Sequence, residues 1–132
     1  FGRAEVIDQF AKTVAFEVGS KTSQSDHAAS SPGILFCFES VSPWGVRSIM
    51  NERGTVPFIA HPVSHAWFHE PQTLRSQLTA MLQVQAIWNQ QYIVSSGNAV
   101  SSQVFTPTGV VKNPERIDSG DGWQLQVTHI PK

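Results

Sequence analysis

The sequence predicts an α+β domain, with an N-terminal helix and a longer central helix packed on a mostly antiparallel sheet of about five or six strands. Three observations carry this. Residues 1–19 and 72–93 place apolar side chains at helical spacing, and short runs of branched and aromatic residues lie between and after them. Clusters of Gly, Pro, Ser and Asn then divide those runs at intervals suited to turns and hairpins. At 132 residues the chain fits one domain, 1–132, around a single core, with no internal repeat.

In the opening stretch, FGRAEVIDQFAKTVAFEVGSK, residues Ile7, Phe10, Ala11, Val14 and Val18 recur at steps of three and four. That lines them along one face of a helix over 1–19, with Gly19 as its stop. Residues 20–33 are polar, small and without period, and are expected as a mobile loop. The run ILFCFE, 34–39, reads as a strand buried on both faces. SPWG at 42–45 has turn chemistry, VRSIM reads as a short strand pairing back, and NERG turns again. TVPFIA is a third strand, placed toward an edge because Pro57 cannot donate to a ladder.

The segment 72–93 aligns Leu74, Leu78, Met81, Trp88 and Tyr92 on one stripe, broken by Gln85, and Pro71 suits a first turn. That stripe, Trp88 included, is the expected inward face. After SSGN, the stretch SQVFTPTGVVK reads as two short strands joined by a Pro and Gly turn. SGDG then precedes WQLQVTHI, whose alternation places Trp123, Leu125, Val127 and His129 on a buried face and Gln124, Gln126 and Thr128 in water.

Composition narrows the function. Hydrophobic residues make up 40% of the chain, enough to fold, whereas charged residues reach only 14%. That lies well below the roughly one quarter typical of globular proteins. Ser, Thr and Gln supply the solubility instead, a bias that fits an extracytoplasmic protein or an assembled subunit. Nine basic and ten acidic side chains without a basic cluster argue against a nucleic-acid partner. No apolar run reaches the roughly 18 residues of a membrane span. The chain starts at Phe1, so a signal or membrane anchor upstream stays open.

The densest chemical signal is HPVSHAWFHEP, 61–71, which holds three of the five histidines at steps of four. On a helix His61 and His69 would stand about 12 Å apart along the axis, and on a strand each step is about 13 Å. Zinc holds imidazole nitrogen at about 2.0–2.1 Å, so the stripe cannot surround one ion. Packing is the favoured reading, with Val63, Ala66, Trp67 and Phe68 anchoring the segment and at least one histidine in water. No metal or other cofactor is expected. Cys37, the single cysteine, rules out an internal disulfide and reads as a small buried hydrophobe rather than a nucleophile. GxSxG, HExxH and Gly-rich phosphate loops are absent.

What remains is binding. Trp44 in a turn and Trp67 among histidines are the preferred anchors, with Phe68 and His65 beside them. The leading expectation is a non-enzymatic structural or protein-interaction domain, periplasmic or at the cell surface, within a pilus-like or secretion assembly. Its partner is another protein or a further copy of itself. An extracytoplasmic small-ligand sensor, with its pocket between the sheet and helix 72–93, is the first alternative. A small hydrolase using Cys37 or a metal is the second.

Overall fold

A computed structural model describes residues 31–66, 72–98 and 100–131. The expected helix over 1–19, most of the expected loop 20–33, and the side chains of Trp67, Phe68 and His69 lie outside these residues.

The chain enters at β1 (Gly33–Ile34) and soon turns into a 3-10 helix, η1 (Cys37–Val41). The apolar run expected as one strand is therefore split. Leu35 still donates to Ala60 O at 2.9 Å, but the Glu39 carboxylate accepts the Phe36 N–H at 2.6 Å. A side chain that captures a backbone donor competes with the ladder, and here it starts the turn. Residues 45–53 form helix α1 (Gly45–Arg53), not a strand. Val46, Ile49 and Met50 are spaced for a helical face, and Gly54, at φ 74°, ends the helix by donating to Met50 O.

Strand β2 (Ile59–Ser64) follows, then helix α2 (Gln72–Asn89) and strand β3 (Ile93–Asn98). The helix stops four residues before the expected end. Gln90 sits at φ 51°, its N–H reaches Ile87 O at 3.3 Å, and the Gln91 N–H reaches Ala86 O at 3.1 Å. This is a Schellman closure with glutamine in the left-handed position. Strands β4 (Gln103–Phe105) and β5 (Val111–Lys112) form the expected hairpin, turned at Gly109 with φ 82°. Strands β6 (Glu115–Gly120) and β7 (Trp123–Val127) form a second one.

The main sheet has the order β1-β2-β3-β4-β5 and is mixed rather than mostly antiparallel. β2 runs parallel to both β1 and β3, because α1 and α2 carry the chain back between them. β3–β4 and β4–β5 are antiparallel. β2 is thus central, not an edge. Pro57 precedes it, and Pro62 is tolerated within it for a geometric reason. Ile59 and His65 donate toward β3, so by alternation Pro62 faces the β1 side, where β1 has already ended.

Successive crossovers advance in one direction, which puts α1 and α2 on the same face of the sheet. The core lies between them: Leu35, Val46, Val56, Ile59, Leu82, Ala86, Ile93 and Phe105 are all buried. Gln85 is buried among them, and the inward face of α2 is Leu78, Leu82, Gln85 and Ala86. Met81 and Trp88, expected inside, point to solvent.

Candidate functional site

Gln85 explains how a polar side chain came to define the inward face. Its Nε2 donates to Ser40 O at 2.6 Å and its Oε1 accepts the Val46 N–H at 3.0 Å. One amide therefore pairs the end of η1 and the first turn of α1, two groups that a buried helix terminus would leave unpaired. Between them runs Ser42-Pro43-Trp44. Gly45 donates to Ser42 O at 3.1 Å and Ser42 to Glu39 O at 3.1 Å, which closes the turn. A Cβ on Gly45 would lie 2.8 Å from both Glu39 O and Leu35 Cδ1, so only glycine lets the turn press this close to the core.

The turn projects Trp44 outward, 65% exposed, beside Trp88 of α2, which is 67% exposed. Between turn and helix runs an apolar groove of about 240 Å³, walled by Val41 and Pro43 on one side and Met81, Val84 and Trp88 on the other. A second concavity of about 340 Å³ continues past Trp88 to Trp44, Arg47 and Asn89. Among the described residues no carboxylate lines either. Trp, Met and Arg are the side chains that interfaces favour, and a large exposed apolar patch on a small domain marks a contact face. The space between α2 and the sheet, by contrast, is filled by Leu82, Ala86, Ile93 and Phe105.

His61 and His65 lie elsewhere. His61, on β2, is buried and faces η1. Its Nε2 meets the carbonyl of Cys37 at 3.0 Å, so Nε2 carries the proton, and Nδ1 then accepts from the Ser95 hydroxyl at 2.9 Å. Both nitrogens are engaged in the neutral form. Burial pushes the His61 pKa below its ordinary value, the bond to the Cys37 carbonyl and the charge of Glu39 pull upward, and His65 adds to the lowering. His65 is also buried, past the end of β2, where its N–H donates to Asn98 O at 3.0 Å. Among the described residues no group of three His, Cys, Asp or Glu side chains could hold a metal ion.

Cys37 is not within a strand but opens η1, half-buried, at φ 40°. Its carbonyl accepts from His61 and from the Ser40 hydroxyl at 2.8 Å, two bonds that hold this unfavourable backbone. Of the expected contact residues, Trp44 lines the second concavity, beside the apolar groove, whereas His65 is buried and lines neither. Trp67 and Phe68 lie outside the described residues. Trp88, Met81 and Val84 are the groove residues the sequence pattern did not single out as exposed. The available signal was Gln85: taken as inward, it turns that stripe to solvent.

Fold and surface together define an α+β domain with a mixed sheet, both described helices on one face, and an apolar groove opened by a clamped turn. No family model matches the chain, and no curated protein matches it.

Proposed function

We propose that the chain is a non-enzymatic protein-interaction domain of an extracytoplasmic surface or secretion assembly, and that it binds through the Trp44–Trp88 groove. The observation that carries this is the pair of tryptophans, each about two-thirds exposed: Trp88 walls the apolar groove, Trp44 lines the concavity that continues it, and Gln85 fixes the turn between. Rigid, solvent-facing aromatic side chains around a shallow depression are what binding hot spots require, since they bury large area at low entropic cost. The low charged fraction, 14%, supports the extracytoplasmic setting. The groove is open on its outer side, which suits a protein segment better than an enclosed metabolite.

The test is the double substitution Trp44→Ala/Trp88→Ala in the full chain. Both side chains are mostly in water, so thermal stability should hold within about 0.5 kcal/mol. Co-purification of the chain with its assembly should be lost. Retained co-purification by a folded double variant would refute the contact face, and cell fractionation checks the compartment.

A further inference from the structure

The hairpin β6–β7 is built like half of an interface. Among the described residues its strands pair only with each other, and nearly every residue in them is exposed. An isolated two-stranded hairpin is marginal in water, so such a ribbon gains by packing on something. The register places Trp123, Leu125 and Val127 opposite Gly120, Asp118 and Glu115 on one face, and Arg116, Ser119, Gln124 and Gln126 on the other. The apolar side expected to be buried is therefore in water, with Trp123, Leu125 and Val127 all exposed. The Trp123 indole packs over Gly120, where a Cβ would sit 2.5 Å from its Nε1, so a side chain at 120 would displace it. A bulge between Arg116 and Asp118 leaves Ile117, also exposed, outside the register.

We infer that this hairpin face docks into the Trp44–Trp88 groove of a second copy of the chain, head to tail. The inference rests on the groove being a contact face. Two apolar surfaces that no described residue covers lie in different parts of one chain, one a narrow ribbon and the other an elongated groove. Their charges are complementary: the ribbon face carries Glu115 and Asp118, with Asp121 at its tip, while the concavity that continues the groove includes Arg47 and, among the described residues, no carboxylate. Opposite charges at the rim of an apolar contact set its register. Because the two surfaces differ, the contact is heterologous, and each docked pair keeps one free groove on one copy and one free hairpin on the other for the next.

Sedimentation of the full chain from micromolar to near-millimolar concentration tests this. The wild type should show a mass that rises with concentration. Trp44→Ala/Trp88→Ala, with its groove broken, and Trp123→Ala/Leu125→Ala, with its hairpin broken, should each be monomeric with unchanged far-ultraviolet circular dichroism. Mixed together they should form a dimer that grows no further, since one supplies the only intact β6–β7 face and the other the only intact groove. Should a tryptophan variant misfold, the charge reversals serve. Asp118→Lys or Arg47→Glu alone should weaken association about fivefold, and the two in one chain should restore it. A wild type monomeric across the range, or a mixture that stays monomeric while the wild type associates, overturns the inference. A monomeric wild type leaves the groove's reading as a contact face to be judged by its own test.

Discussion

Replacing Gln85 with leucine removes one side chain that holds two buried backbone groups. Leucine is of similar size, so the perturbation is chemical rather than a cavity. The Val46 N–H and the Ser40 carbonyl lose their partners, at 3.0 and 2.6 Å, in a place closed to water. Each orphaned buried group costs about 1–3 kcal/mol. The added apolar burial returns about 1–2 kcal/mol. The net expectation is a loss of about 2–3 kcal/mol, a large part of the stability of a domain this size. Gln83→Leu on the same helix gives the comparison. That side chain makes one bond, Nε2 to Gly109 O at 2.9 Å, at a partly buried site. Its loss should cost about 1 kcal/mol or less. Urea titrations followed by circular dichroism at the helix band read both. If Gln85→Leu costs no more than Gln83→Leu, the amide clamp does not hold the turn, and the account of why Trp44 stands where it does fails with it.

Three further outcomes are expected. The native state holds His61 below its ordinary pKa, so the unfolded chain binds the extra proton first and stability falls as pH drops below about 6.5. Urea midpoints from pH 8 to 5 should show a plateau and then a decline of at most about 1.4 kcal/mol per pH unit from this residue, and His61→Gln should flatten it. A decline of unchanged slope in that variant would place the titration elsewhere. Cys37→Gly should be more stable than Cys37→Ala by about 1 kcal/mol, because only glycine adopts φ 40° without penalty, and equal melting temperatures would refute strain at that position. Chelator and added zinc should leave the melting temperature unmoved, because both His61 nitrogens are already bonded, whereas a real site would add about 2.7 kcal/mol at a hundredfold excess over its dissociation constant.

The class of the fold was legible in the sequence, and its errors share physical causes. Alternation and turn chemistry located β4, β5 and β7, and apolar spacing located α2. VRSIM is too short for branched residues to separate strand from helix, and its spacing at Val46, Ile49 and Met50 favoured the helix once Gln85 paired its first turn. With that segment helical, β1 and β2 are joined by a crossover and must run parallel, so the antiparallel expectation fell with it. The site was half legible. Trp44 was found because a tryptophan in a turn has no periodic reason to be buried. Trp88 and Trp123 were assigned inward by patterns that do report a face but not which face meets the core. A buried glutamine reverses the first, and a hairpin standing off the main sheet removes the core from the second.

The central claim is that the groove between the Trp44 turn and α2 is where a protein partner sits. A photo-reactive phenylalanine analogue placed at Val84, on the groove wall, tests it in the intact assembly, with the same group at exposed Glu52 of α1 as reference. Irradiation should join the Val84 chain to one discrete protein, either another species or a second copy, and the Glu52 chain to none. Absence of an adduct at Val84, or equal and diffuse labelling at both positions, would contradict the account.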